Sequence, residues 1–486
     1  MAQAAATQAQ VTPTTLYKGI RWYDGFVVAL ANPGFLIGSL GYSIGALGGW
    51  GAVLLWTISM AMGVAKNWIY AEMASMFPDK PGGIALYAHE GWRRYFSLAG
   101  VVATFGYWFA WSTVLSIFGL VVGSLIQSQW FPSQTWTFSD GAVNVGLPHL
   151  IAAGLIILVW AFNIFGIRVA VWFGYVTGAL LMIPLAVFII GPFVTGNWHA
   201  SNLHFGMAGT PLTLKLALVW LYVMGWSSYG VETCAAFAPE YKDTVHDTNL
   251  ALKTAALFSL LVYALLPMGI TGAIGEQAAV KDPVAFYVPA FAQIVGGAAG
   301  LMVLLLAASL VLSMNTATAD GARALYGIAR DDMTVKQLYH LNRYKVPSRA
   351  MTVDMIVNLF LVFFVGNTLA ILVAGNLGYL LAHILALTAF LLLRKDRPHW
   401  PRPIRASNVW IPIAVLLAAA NLVFVIYGVL NPDITGYGTF FDLLVGIGVL
   451  LISVLLYIFR RVFQDGKPIA LREETPVLPP ADANLA

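Results

Sequence analysis

The sequence predicts an all-α polytopic membrane protein with twelve transmembrane helices, and three observations predict it. The 486 residues are 59% hydrophobic and 10% charged, against roughly 45–50% and about 25% in soluble domains, with a mean hydropathy of +0.78. Twelve apolar stretches qualify to cross a hydrocarbon core that takes about 20 helical residues. All but Lys66, Lys215 and Lys281 of the 26 Lys and Arg fall on one side of the resulting zigzag, the side the positive-inside rule assigns to the cytoplasm.

The predicted spans, numbered 1 to 12, cover approximately residues 25–46, 50–76, 97–126, 147–165, 169–194, 213–238, 253–274, 289–322, 350–366, 368–393, 409–430 and 439–461. Spans 9 and 10 are divided only by Gly366 and Asn367. Lys18 and Arg21 before span 1 look like the start of a signal sequence, but eleven further runs follow, so the first is retained as a span. Residues 1–20 and 463–486 lack hydrophobic periodicity and are expected as disordered cytoplasmic tails around a transmembrane domain over 21–462. The formal net charge of +4 is small and the basic residues form no contiguous patch, so nucleic acid is not an expected partner. The lone Cys234 excludes an intramolecular disulfide and reads as a small buried hydrophobe.

Span 1 contains Ala31-Asn32-Pro33-Gly34-Phe35, where the proline removes a backbone donor and its ring crowds the preceding turn. Span 6 contains Gly225-Trp226-Ser227-Ser228-Tyr229-Gly230, where paired glycines and hydroxyls make continuous helix costly. Either stretch could merely kink a helix or permit close packing. Breaks five spans apart, however, are what inverted repeats of five helices place opposite each other at a substrate site, and a bilayer tolerates them only where the freed backbone lines a cavity or meets a ligand.

Four segments carry a family resemblance. They are Glu72-Met73-Ala74-Ser75-Met76-Phe77-Pro78 with Pro81-Gly82-Gly83 and Tyr87; Gly230-Val231-Glu232 with Glu240-Tyr241-Lys242; Arg323-Ala324-Leu325-Tyr326 with Ala329-Arg330-Asp331 and Val346-Pro347-Ser348-Arg349-Ala350; and Asn163-Ile164-Phe165-Gly166. In order and spacing across spans 1 to 9 they resemble the amino acid-polyamine-organocation superfamily of permeases. The resemblance implies a five-plus-five inverted repeat, with repeat one over about 25–194, repeat two over about 213–393, and two extra helices over about 409–461. Two departures stand out: Asn32-Pro33-Gly34 replaces the family's Gly-x-Gly unit in span 1, and the place in span 5 where some proton-coupled relatives carry a lysine falls near Leu181, so that lysine is absent here.

An unwound span 1 near Gly34 to Leu36 would offer backbone donors and a positive half-helix end to a carboxylate, while carbonyls near Trp226 to Ser228 would suit an ammonium. The candidate substrate-binding residues are therefore Asn32, Gly34, Phe35, Leu36, Trp226, Ser227, Ser228 and Tyr229, joined by Trp108 and Trp111 of span 3. Interfacial tryptophans and hydroxyls that satisfy their own helix are the plainer readings.

Ionisable groups within spans are functional candidates by default. Glu232 is expected to titrate, to bind an amine, or to anchor the break. Lys66 is expected either to couple transport or to snorkel to the interface, and Asp320 to take part in coupling or to pair with Arg323 one turn on. Asp354 is expected to pair in a loop. Ser313 and Thr316, with Ser309, are a candidate sodium site together with span 1 carbonyls, as in relatives of the fold. No His-x-x-x-His spacing, Walker sequence, dinucleotide fingerprint or Gly-x-Ser-x-Gly elbow occurs, so no metal centre, cofactor or enzyme is expected.

The reading is a secondary permease in the cell inner (plasma) membrane, with both termini cytoplasmic. It moves an amino acid by proton symport or exchange, sodium being the alternative to the proton as coupling ion, through rocking of spans 1, 2, 6 and 7. Alternatives are a carrier of polyamines or other organic amines, a non-transporting amino acid sensor, and a channel.

Overall fold

The computed structural model describes residues 16–140, 143–207, 211–365, 368–435 and 440–476. Helix falls on every one of the twelve predicted stretches. Among the described residues nine helices are long and apolar enough to cross a membrane, or ten when the bent pair Trp22–Ile37 and Leu40–Leu47 counts as one span. Two stretches fall short by length: the α-helix of span 6 has 15 residues and that of span 9 has 17. The Gly366-Asn367 division lies outside the described residues. A short antiparallel hairpin, Thr137–Asp140 with Val143–Gly146, lies between spans 3 and 4.

Span 1 breaks at a different place from the one expected. Ala31–Ile37, Asn32-Pro33-Gly34 included, is helical, and Pro33 is tolerated because it sits in the first turn of a helix restarting after Leu30, where its missing N–H has no intrahelical partner. The chain turns instead at Gly38 and Ser39, and the next helix, Leu40–Leu47, leaves at 42°. Span 6 stays α-helical through Ser228. It then tightens into an eleven-residue 3-10 helix, Gly230–Glu240, which is a change of winding rather than an extended segment. Span 3 also has a break, at Thr113 between Leu98–Ser112 and Val114–Trp130, and neither glycine nor proline marks it in the sequence.

Spans 1, 2, 6 and 7 pack on one another, and span 3 packs on span 10. The last contact depends on two glycines. A methyl group on Gly378 would lie 2.5 Å from the Cα of Gly106, so the backbones approach more closely than any side chain allows, as small residues permit between membrane helices. That approach brings Trp111 of span 3 and Tyr379 of span 10 to one buried wall.

The basic end of the molecule is closed by buried ion pairs. Arg323 of span 8 forks onto Glu240 at the end of span 6, each side chain 1% exposed. Glu72 of span 2 takes Arg394 at 2.6 Å and Arg402 at 3.2 Å. Both segments expected as free tails have docked portions. Gly19 and Ile20 donate to the Glu240 carbonyl, while Ala470 and Leu471 accept from Ser97, and Glu473 pairs with Arg93 at 2.7 Å.

Candidate functional site

The two breaks meet. The hydroxyls of Ser39 and Ser227 are 3.1 Å apart, and Ser227 also donates to the Phe35 carbonyl at 3.2 Å. Tyr263 of span 7 spans both broken segments, its hydroxyl 2.8 Å from the Asn32 carbonyl and 2.7 Å from that of Ser227. One O–H proton cannot fully satisfy two acceptors. Tyr287 caps the Ile37 carbonyl at 2.7 Å. Freed peptide groups are thus met by hydroxyls reaching across from other spans, as buried backbone requires.

Beside this junction, Phe35, Ala110, Trp111, Val114, Trp226 and Tyr379 line a narrow void that, as packed here, has no room for a water molecule. Every lining residue is buried. Phe35 stacks on Trp226 at 5.4 Å and tilts against Trp111 at 5.2 Å. The Trp226 indole donates to the Ala110 carbonyl at 3.2 Å, close to where the break in span 3 interrupts the helix ladder. Just past the change of winding in span 6, Glu232 accepts from Tyr379 at 2.7 Å. The Trp111 N–H faces the same carboxylate without completing a hydrogen bond.

Of the residues singled out in the sequence, Phe35, Trp111 and Trp226 line the void, and Ser227 joins the breaks. Asn32 points its amide at Met60 Sδ, 3.8 Å away, and Gly34 lies where a Cβ would come within 2.5 Å of Ser313 Oγ. Leu36 is fully buried. Ser228 bonds Ser59 at 2.5 Å and its own helix at Met224. Trp108, three residues from Trp111, faces away from the void and donates to Asp354 at 3.0 Å.

Lys66 does not snorkel. It is 1% exposed, its Nζ 2.9 Å from the centre of the Tyr229 ring and 3.1 Å from Asn421 Oδ1, so a cation–π contact holds it against the end of the span 6 α-helix. Asp320 accepts from Tyr107 at 2.6 Å, and Arg323, its expected ion-pair partner, is taken by Glu240. Asp354 is fully buried rather than paired in a loop. Ser313 and Thr316 donate to the span 1 carbonyls of Ala31 and Val28, each at 3.0 Å, whereas Ser309 bonds back to Leu306 of its own helix.

Sequence reasoning missed Ser39, Tyr107, Tyr263 and Tyr379. Ser39 had a local signal, the Gly38-Ser39 pair within an apolar run. The tyrosines had none, because each acts on a span distant in sequence.

Interrupted helices meeting around a buried aromatic and polar site, in an all-α chain that crosses a bilayer several times, define a multi-pass membrane transport protein. Residues 25–458 match the amino acid permease family, and the chain belongs to it. It is similar to the glutamate/serine transporter AimA of Bacillus subtilis (strain 168), with 24% identity over 430 residues that cover 82% of this chain and 76% of that one.

Proposed function

We propose that this permease is a secondary active amino acid transporter of the inner (plasma) membrane that works by alternating access, with proton-coupled symport or exchange. In this reading the domain over 21–462 makes twelve crossings as a five-plus-five inverted repeat with two added helices, and the concentration of basic residues at one end supports cytoplasmic termini. The observation that carries it is the junction of Ser39, Ser227 and Tyr263, where two interrupted spans meet beside an aromatic void.

A zwitterion needs a donor set and an acceptor set. The start of Leu40–Leu47 supplies N–H groups without intrahelical acceptors, one turn beyond the Gly34 to Leu36 stretch expected from sequence. The end of Leu214–Ser228 supplies carbonyls for the ammonium. Phe35, Trp111 and Trp226 then cover the substrate side chain, and Glu232 is the group that carries a proton. The substrate pair in the relative's name, glutamate and serine, supports an amino acid cargo. Glu232 beside aromatic walls favours a second reading, an organic amine bound by cation–π contact.

Counterflow in proteoliposomes tests the reading with labelled serine, glutamate and putrescine. Saturable exchange of an amino acid that is driven uphill by an inward proton gradient is expected. Exchange of putrescine alone selects the amine carrier, and binding without any exchange selects a sensor and overturns transport.

A further inference from the structure

Three carboxylates from three different spans lie buried in the core: Glu232 of span 6, Asp320 of span 8 and Asp354 of span 9. Each has one neutral aromatic donor on one oxygen, Tyr379 at 2.7 Å, Tyr107 at 2.6 Å and Trp108 at 3.0 Å respectively. Each leaves its second oxygen, Glu232 Oε2, Asp320 Oδ1 and Asp354 Oδ2, buried without a hydrogen-bond partner. Nearby cations are engaged elsewhere, Arg323 by Glu240 and Lys66 by Tyr229 and Asn421. An ionised carboxylate with a bare oxygen in such a place is costly, and taking up a proton relieves that cost.

We propose that Asp354 is a proton-carrying group of this transporter, exchanging its proton with Glu232 by way of Asp320. The proposal rests on the proton-coupled reading above and extends it to a residue outside the substrate site. The donors link the three sites: the rings of Tyr379 and Tyr107, which hold Glu232 and Asp320, lie 6.0 Å apart, and Thr233, next to Glu232 in the chain, has a buried hydroxyl without a partner. Tyr107, Trp108 and Trp111 form a ledge on span 3 that touches all three positions. Asp354 lies six residues into its helix, about 9 Å from the basic end, so the series leads from the void towards that end. At each step a proton leaves one carboxylic acid and joins the next carboxylate, and charge moves with it.

The groups facing these acids set the background for any pH effect. Around Asp320 they are Tyr107 from span 3, Glu232 from span 6, Arg323 from its own helix and Asp354 from span 9. Around Asp354, span 8 contributes Asp320, and span 3 contributes only the neutral Trp108 and Ser112. Span 4 carries no charged side chain apart from His149 near its outer end, and Arg349 on the helix of Asp354 is exposed.

The test uses the full chain in proteoliposomes with labelled serine as the probe. Asp354→Asn is expected to keep counterflow exchange and to lose proton-driven accumulation and its pH dependence, while Asp354→Glu restores both. An Asp354→Asn protein that accumulates serine with the wild-type pH profile overturns the proposal. If Asp354→Asn lacks counterflow through misfolding, Ser112→Ala decides: a shifted pH profile supports the relay, and an unchanged one overturns it. Wild-type protein that exchanges serine but ignores a proton gradient overturns the coupled reading and this proposal with it.

Discussion

Ser39 and Ser227 place their hydroxyls 3.1 Å apart, one at the turn in span 1 and the other in the last turn of the span 6 α-helix. Neither span provides a continuous hydrogen-bond ladder there: carbonyls of span 1 are met by hydroxyls of Ser227, Tyr263, Ser313 and Thr316 from spans 6, 7 and 8, and the Ser227 carbonyl of span 6 is met by Tyr263. In the proposed reading these backbone groups have two ways to be satisfied: by hydroxyls, as here, or by the charged ends of a substrate.

Tyr263 is the strongest link in this arrangement, since it serves the Asn32 and Ser227 carbonyls together. Tyr263→Phe keeps the ring and removes the donor. It is expected to lower the stability of the purified protein by about 1–3 kcal/mol, the cost of a buried polar group left unpaired. Unfolding followed by tryptophan fluorescence checks this, and an unchanged midpoint would show that the hydroxyl does not hold the breaks.

Arg323 and Glu240 fasten span 8 to the end of span 6, with the Phe237 ring 4.5 Å from the guanidinium. Arg323→Gln or Glu240→Gln alone is expected to cost about 3–5 kcal/mol, because each strands a buried charge. The double variant is expected to cost less than the two single losses together. A double-mutant cycle in unfolding measures it, and strict additivity would mean that the pair is not coupled.

Glu90, between spans 2 and 3, contacts Lys80 at 2.6 Å, Arg397 at 2.7 Å and Arg93 at 3.4 Å. Burial pushes its carboxyl up, but the charges of Lys80, His89, Arg397 and Arg93 outweigh burial and hold it at about 2, against an ordinary 4.5. The folded state therefore binds this proton more weakly than the unfolded chain does. Its contribution to stability is complete above about pH 4.5 and is lost as the pH falls through about 2. Wild-type protein is expected to lose thermal stability on acidification below about pH 4.5, and Glu90→Gln to start lower and lose less over the same range. Parallel acid profiles of the two proteins would contradict this.

Composition and Gly-Pro chemistry made the helical stretches legible and marked spans 1 and 6 as interrupted, but left the break in span 3 at Thr113 unmarked. The position of each break was not legible. Pro33 signals a break where it stands, yet the helix restarts just before it and ends at Gly38, because hydroxyls from Ser313, Thr316, Tyr263 and Tyr287 decide which carbonyls can go without helical donors. Those partners lie more than two hundred residues away. Trp108 and Trp111 read alike in sequence, and only the packing around span 3 separates them, Trp108 meeting Asp354 and Trp111 lining the void. Asp320 and Arg323 have the right spacing for a helical pair, but Glu240 offers the arginine a two-pronged partner and takes it.

Substrate is proposed to bind where the two breaks meet, and the single cysteine, Cys234, makes a direct test practical. In a Cys234→Ser background, Ser227→Cys is labelled with a small thiol reagent in membranes, with and without a saturating concentration of an amino acid that the protein exchanges. Substrate is expected to slow the labelling markedly. A labelling rate that the transported amino acid leaves unchanged would contradict a binding site at this junction.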